Sequence, residues 1–206
     1  MNRYIGIDPG ATGGIALLVG DELYVTKMPN DDDRLVTCQA IFTWINRAAL
    51  DPEETYCDIE LVGGFVGGPA PGSRMFNFGK TAGWIDMAVV AAEIPTSRIK
   101  YIQPRSWQKF LGIEQRRFTR DDKNKKIYTE SQAHFKIRLV DIAKLAFPKK
   151  TTMIASHADA SLIALSLKHR IEGTVPCLPQ SPAVSTADGP NNPWIEDTDD
   201  GDGNSE

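Results

Sequence analysis

The sequence predicts an α/β protein in which one mixed sheet of five strands is flanked by helices. The first thirty residues contain three short runs rich in β-branched and aromatic residues, separated by glycine-rich or acidic turns. Two later strand-like runs alternate with segments that have the apolar spacing of helices. The chain of 206 residues, 41% of them hydrophobic, is long enough to bury one core without disulfides or structural zinc. We therefore expect a single folded domain.

The N-terminal runs RYIGIDPG, GGIALLVG and ELYVTKMP predict a meander of three strands. Three aspartates that suit a helix N-terminus follow at 31–33. Behind them the apolar residues recur at helical spacing and predict a first helix. Its expected apolar face consists of Leu35, Cys38, Ile41, Phe42 and Ile45.

The run CDIELVG at 57–63 alternates in the manner of a strand with one face on a core, and it places Glu60 on the other face. The run GGFVGGPAPG predicts a glycine-rich loop, after which Ser73 is suited to cap a second helix. RIKYIQ predicts another strand and PRSWQKFLG a short helix. Longer helices are predicted over 128–147, ended by Pro148, and over 156–170.

Charge divides the chain into two parts. Of its 27 acidic residues, seven lie in 173–206, which has no Lys or Arg, so that residues 1–172 hold 20 acids against 23 bases. The segment 98–150 alone has 15 basic and five acidic residues, which favours a polyanionic partner, although a solvated helical face would look the same. The tail 173–206 is rich in Pro, Ser, Gly and Asp, and we expect it to be disordered. It either competes with nucleic acid for the basic surface or keeps the protein in solution.

Several classes of protein are disfavoured. The three cysteines contain no CxxC pair, which argues against a disulfide framework or a zinc ribbon and favours a reducing, cytosolic setting. The apolar runs are far shorter than the ~20 residues of a membrane span, and MNRYIGIDPG lacks the features of a signal peptide. We expect neither export nor membrane insertion.

Two carboxylates stand out by their positions. Asp8 ends the first strand at a Pro-Gly turn, where small residues leave room for a phosphate or a metal ion, although an aspartate there also stabilises turns. Glu60 lies within a strand that the element order allows beside the first. Two such carboxylates repel each other unless a divalent cation lies between them.

Asp159 precedes an apolar helical run, and with Ser156 it forms the S-x-x-D pattern of a helix cap. Its local sequence favours a helix-capping role over that of a metal ligand. His157 is equally ambiguous, and we expect His134 and His169 to be structural.

The order IGIDPGATGGIAL, IELVGG, MFNFGKTAGWIDMAV, YIQPRSWQK and HADASLIALSL resembles the RuvC-type Holliday junction resolvases of the RNase H-like superfamily, and their phage branch in particular. The resemblance covers about residues 3–170, with FNFG and QPRSWQK its most specific parts. It implies an RNase H-like nuclease domain over 1–172, with 173–206 as an acidic tail. It also implies a homodimeric, Mg²⁺-dependent endonuclease, for which Mn²⁺ can substitute, that makes paired nicks in branched DNA in the cytoplasm of a bacterial or phage-infected cell.

Carried over by position, Asp8 resembles the first-strand metal ligand, Glu60 the central-strand ligand and Asp159 the last-helix ligand. In a two-metal mechanism Asp8 would bridge both ions. The chain departs from the family where a fourth acid or a histidine is expected, because Ala155 and Ser156 stand there. His157 is a candidate catalytic substitute for it, as a ligand or a proton carrier.

A second departure is an apparent insertion at 113–135, which either extends the DNA surface or serves as a linker. Phe65 is a candidate for stacking on a base opened at the branch point, or else an anchor that folds its loop down. The other candidate DNA contacts are basic, with Arg105 and Lys136 favoured by the resemblance; they are Arg74, Lys80, Arg105, Lys109, Arg116, Arg117, Lys123, Lys136 and Arg138. The helix through Trp84, Ile85, Ala88 and Val89 is a candidate dimer interface or simply core.

Two other functions remain open. An actin-like ATPase or sugar kinase also begins with a strand and a phosphate loop, but it needs two related domains, for which the chain has no room. A DNA-binding scaffold with an impaired nuclease site is the other alternative, suggested by the missing fourth acid.

Overall fold

The computed structural model describes residues 1–61, 72–115, 117–119, 127–176, 178 and 195–197. Its main sheet has the strand order β3-β2-β1-β4-β5, formed by β1 (Arg3–Asp8), β2 (Gly14–Val19), β3 (Glu22–Lys27), β4 (Thr55–Glu60) and β5 (Ile99–Ile102). The first three strands form an antiparallel meander, and β4 and β5 add to β1 in parallel. The predicted mixed five-stranded sheet is confirmed.

Five α-helices lie within the described ranges: α1 (Arg34–Ala48), α2 (Gly72–Ala91), α3 (Pro104–Phe110), α4 (Gln132–Ala146) and α5 (Ala155–Glu172). Two buried clusters show how they flank the sheet. One combines sheet residues with α1 and α2, and the other combines sheet residues with α3, α4 and α5. Because both faces are covered, the central strands are buried on both sides, as parallel strands generally are.

One glycine sets the distance between α5 and the centre of the sheet. A Cβ on Gly6, in the middle of β1, would collide with the backbone of Ala160 and Ala164. Only a residue without a side chain lets the helix approach this closely. The contact also identifies the α5 side as the face that Gly6 and, two residues on, Asp8 present.

Several boundaries differ from the sequence prediction. α2 begins at Gly72, so Ser73 lies inside its first turn and does not precede it. The helix predicted over 128–147 begins only at Gln132, because Ser131 accepts a hydrogen bond from the backbone of His134 and caps it. The preceding residues form β7 (Ile127–Glu130), which pairs with β6 (Arg117–Thr119).

A third short strand belongs to the stretch that the sequence predicts to be disordered. Strand β8 (Ile195–Asp197) pairs antiparallel with β7, so β6, β7 and β8 form a second, three-stranded sheet. The expectation of disorder does not hold for these three residues, because a paired strand satisfies backbone groups along the edge of β7. The rest of 179–206 lies outside the described residues.

The first helix is where it was predicted, but its buried face is only partly the expected one. Asp33 caps it by accepting from the backbone N–H of Leu35. Ile41 and Ile45 are buried as expected, whereas the side chains of Leu35 and Phe42 are exposed. In the part of the chain that the structure describes, no helix has the length and apolar character to cross a membrane.

Candidate functional site

Asp8 and Glu60 end two neighbouring strands at the same edge of the sheet. β1 and β4 pair in parallel, with Gly6 opposite Asp58 and Ile7 opposite Ile59, so the next residues of the two strands, Asp8 and Glu60, are neighbours. Adjacent strands lie about 4.8 Å apart, and residues in register share a face. Both carboxylates therefore project from the face that α5 covers, as the sequence predicted for two converging acids.

Helix α5 brings a third carboxylate to this edge. Its first turn lies against the start of β2, where a Cβ on Gly14 would collide with the backbone carbonyl of Ser156. Asp159 follows one turn later and is only 3% exposed. Burial raises the pKa of both Asp8 and Glu60, and repulsion from the nearby charge of Asp159 raises it further.

The capping role that the local sequence suggested for Asp159 is not found. α5 begins at Ala155 with Ile154 as its N-cap, and no side chain caps it. Asp159 thus lies in the second turn, and the Ser156 hydroxyl is buried without a hydrogen-bond partner among the described residues. Asp159 is a buried carboxylate that needs a cation.

In this structure that cation is the ammonium of Lys136, on α4. Its Nζ contacts Oδ2 of Asp159, while Oδ1 of Asp159 is buried and has no hydrogen-bond partner in the described part of the chain. Although burial acts to lower it, the charges of Asp159, Asp8 and Glu60 together raise the pKa of Lys136. Lys136 was expected to contact DNA, and the structure places its charge among the three acids.

The carboxylates are held in a poorly hydrated place. Burial raises the pKa of Glu60 to about 7, and the charge of Asp8 adds to the effect. Burial also raises the pKa of Asp8, against a 3.1 Å hydrogen bond from the backbone N–H of Gly10 to its Oδ1. Such clusters of like charge, costly without a bound cation, are characteristic of functional sites.

A tryptophan that the sequence analysis did not single out orients Glu60. Trp107, on α3, is 1% exposed, and its indole Nε1 donates a 2.8 Å hydrogen bond to Oε1 of Glu60. The segment QPRSWQK was quoted as part of a resemblance, but nothing in it indicates which carboxylate the indole meets. The bond favours the ionised form of Glu60 and fixes its rotamer.

His157 is not brought to the carboxylates. Its Nδ1 lies 3.4 Å from the carbonyl oxygen of Thr152, and the charged groups that act on it are Lys150 and Lys27. Burial, with these two cations, lowers its pKa, so the imidazole is neutral near pH 7. Two residues along a helix place side chains on different sides, which explains why His157 and Asp159 diverge.

Apart from Lys136 and Arg138, the eight other predicted DNA contacts fall into three groups. Arg105 and Lys109 are exposed on α3, the helix that supplies Trp107. Lys80 lies on α2 with its Nζ 5.7 Å from the ring centre of Phe76. The third group is not described in full: Phe65, Arg116 and Lys123 lie outside the described residues, and of Arg74 and Arg117 only the backbone is described.

Arg138 does not lie on a surface open to DNA. Its side chain is 6% exposed, and its Nε and Nη2 donate to the two carboxylate oxygens of Glu130 at 2.9 and 2.7 Å. Nη2 also donates to the carbonyl of Glu114 at 2.8 Å. The expectation of a phosphate contact fails for Arg138 because this guanidinium ties β7 to α4.

The donor set at the sheet edge fits a hard divalent cation. It consists of carboxylate oxygens, the ligands that Mg²⁺ and Mn²⁺ prefer, and a cationic group already lies among them. Within the described ranges, no group of three or more His, Cys, Asp or Glu side chains is arranged to hold a metal ion in this conformation. An ion held by all three acids would require their side chains, and the Lys136 ammonium that contacts Asp159, to rearrange.

Comparison with solved structures identifies the fold. The chain is similar to the RuvC of T. thermophilus in complex with a Holliday junction substrate, with a TM-score of 0.53 and 15% identity over 83% of this chain and 96% of that one. It is similar to a further Thermus thermophilus RuvC structure, with a TM-score of 0.51 and 16% identity over 84% and 97% of the two chains. No protein-family model and no curated protein matches the sequence. The chain thus has the RNase H-like fold of RuvC, as the sequence predicted.

Proposed function

We propose that this protein is a divalent-metal-dependent endonuclease that cuts branched DNA such as Holliday junctions. The observation that carries the proposal is the convergence of Asp8, Glu60 and Asp159 on one cationic position at the sheet edge. The fold shared with a RuvC that was solved with a Holliday junction substrate supports the choice of DNA over other phosphodiesters.

Each of the three acids has a role that follows from its place. Asp8, Glu60 and Asp159 would together hold the divalent metal ions, with Asp8 beside both of the other acids. A divalent metal ion bound there supplies a Lewis acid that activates water and neutralises phosphate charge. Trp107 keeps Glu60 in its ligand rotamer.

Lys136 has two consecutive roles in this proposal. Without a metal ion its ammonium compensates the buried charge of Asp159. Because 52% of its side chain is exposed, it can swing outward when ions bind and pair with a DNA phosphate. The same residue then serves as internal counter-ion and as DNA contact.

The remaining DNA surface lies beside the acids. Arg105 and Lys109 are exposed on the helix that carries Trp107, and we propose that they contact phosphates beside the cleaved one. Lys80 lies on α2, whose buried residues pack on the other face of the sheet from those of α3, and it is proposed as a contact on the grounds of its sequence position. Phe65, Arg74, Arg116, Arg117 and Lys123 remain proposed contacts on the grounds of their sequence positions.

Paired nicks on a four-way junction require two sites related by a twofold axis, so we propose a homodimer. Of the two roles that the sequence left open for the helix through Trp84, core packing holds for Ile85, Ala88 and Val89, which are buried. The outer side of the same helix is a better surface, since Met87 and Val90 are 67% and 62% exposed. We propose that a second copy covers them, and that the protein acts in the cytoplasm.

The test is nicking of a synthetic four-way junction with one labelled strand. The unaltered chain should nick it with Mg²⁺ and not with chelator, and Asp8→Asn should lower the rate by roughly a hundredfold or more while junction binding persists. Asp21→Asn, at the far end of the sheet, is the matched control and should leave the rate unchanged. Nicking by Asp8→Asn at the full rate would refute the assignment. Junction binding without nicking by the unaltered chain would favour a DNA-binding scaffold.

A further inference from the structure

The second sheet joins two parts of the chain that are far apart in sequence and opposite in charge. The central strand β7 pairs with β6 along one edge and with β8, from the C-terminal tail, along the other. Residues 116–126 contain six basic residues against two acidic ones, and residues 195–206 contain six acidic residues and no basic one. Strand pairing thus links the most basic and the most acidic stretches.

The register places a basic and an acidic residue on either side of one residue of β7. Thr129 of β7 is paired with Arg117 of β6 and with Glu196 of β8. Adjacent strands lie about 4.8 Å apart, so the backbones of Arg117 and Glu196 each lie about 5 Å from that of Thr129. In the sequence, the acids Asp197 and Asp199 come next after Glu196.

The sheet is fixed to the body near the carboxylate cluster. Glu130, at the end of β7, is fully buried and holds the guanidinium of Arg138 on α4, the helix that also carries Lys136. A segment paired with β7 is therefore held at a set place relative to the proposed DNA surface. Free in solution, the same segment would have no fixed position.

We propose that the edge of β7 that pairs with β8 is a docking edge for the chain's own acidic tail, and that the docked tail competes with DNA for the neighbouring basic segment. The part that concerns DNA rests on the function proposed above. Addition of a strand to a sheet edge supplies main-chain hydrogen bonds, and the charges beside them supply the preference for an acidic segment. Because the tail is tethered, it competes at a high effective concentration.

Competition of this kind selects among DNA ligands. A ligand that makes few phosphate contacts does not displace the tail, whereas one that contacts both sites of a dimer does so through its larger number of contacts. Docking thereby weakens binding to ordinary duplex DNA more than binding to a junction. Selectivity for branched DNA then resides partly in the tail.

The experiment separates docking from charge by a single substitution in the full-length chain. Ile195→Pro keeps every tail charge but disrupts β8, because proline lacks the N–H donor and fits poorly in a paired strand. Val184→Pro, in the same tail but outside β8, is the matched control. Hydrogen exchange of the 127–130 amides reports docking, and fluorescence anisotropy with labelled duplex and junction DNA in chelator reports affinity.

We expect Ile195→Pro to speed exchange at 127–130 and to raise duplex affinity about fivefold or more at low salt, with a smaller gain for the junction. Val184→Pro should match the unaltered chain in both assays. Equal exchange in all three proteins would overturn the docking, and faster exchange without a gain in affinity would overturn the competition. If no variant binds DNA although exchange differs, the proposed nuclease function fails and the competition with it, while the docking stands.

Discussion

Replacement of Glu60 by glutamine should stabilise the metal-free protein while it destroys the proposed activity. Burial raises the pKa of this carboxyl from 4.5 to about 7, so an ionised Glu60 costs folding energy. This difference in pKa corresponds to about 3 kcal/mol, and roughly half of that remains after allowance for the partial exposure of the group. Glutamine keeps the acceptor for Trp107 and removes the charge.

The stabilisation by Glu60→Gln should increase with pH. Because the folded-state pKa of Glu60 lies above the unfolded one, its contribution to stability is present below pH 4.5 and is lost as the pH rises through about 7. Glu60→Gln should therefore melt about 3–6 °C higher than the unaltered chain at pH 8 in chelator, and within about 1 °C of it at pH 5.

Differential scanning fluorimetry at both pH values measures this. Glu53→Gln, an exposed glutamate just before β4, is the control and should change neither melting temperature. Mg²⁺ should then stabilise the unaltered chain and not Glu60→Gln. A lower melting temperature for Glu60→Gln than for the unaltered chain at pH 8, or an equal gain at both pH values, would show that the buried charge of Glu60 does not destabilise the fold.

Three further predictions concern packing and assembly. Gly6→Ala should destabilise the fold by several kcal/mol, seen as a lower urea midpoint, whereas Gly79→Ala, in open space on α2, should raise it slightly. Arg170→Met should lower the free energy of unfolding by about 3 kcal/mol or more at pH 8, because it leaves the fully buried carboxylate of Asp58 without its cation. This loss of stability should shrink toward pH 5, because burial raises the pKa of Asp58 to about 6 and the carboxyl is then largely protonated. Met87→Glu should convert a dimer to a monomer in sedimentation analysis, and a monomeric unaltered chain would contradict the proposed interface.

The sheet and the helices could be predicted from the sequence because their signals are local. Alternation of apolar residues, glycine-rich turns and helical spacing identified every strand of the main sheet. The start of α4 was misplaced because the run that precedes Ser131 contains both strand-forming and helix-forming residues. Residues 127–130 form a strand because they pair with β6 and β8, which local sequence does not show.

The candidate site was predictable in part. Asp8 and Glu60 could be placed together because parallel neighbours end at one edge, whereas Asp159 resembled a cap until its helix was seen to begin at Ala155. The partners Lys136 and Trp107 depend on how α4 and α3 pack, which no local pattern encodes.

Some surface assignments also required the structure. The sequence does not show whether a basic residue in a basic segment faces solvent or a buried acid. For this reason the sequence predicts a DNA contact for Arg138, whereas in the structure its guanidinium is paired with the carboxylate of Glu130. Asp58, which shares the strand face of Glu60, is covered by α5, where Arg170 pairs with it.

Anomalous diffraction from crystals soaked in Mn²⁺ shows whether three carboxylates distant in sequence jointly bind divalent cations. We expect manganese peaks in contact with Asp8, Glu60 and Asp159, with the ammonium of Lys136 moved away and the ring of His157 still beside Thr152. Manganese bound elsewhere, or Lys136 still among the acids at saturating Mn²⁺, would contradict this expectation.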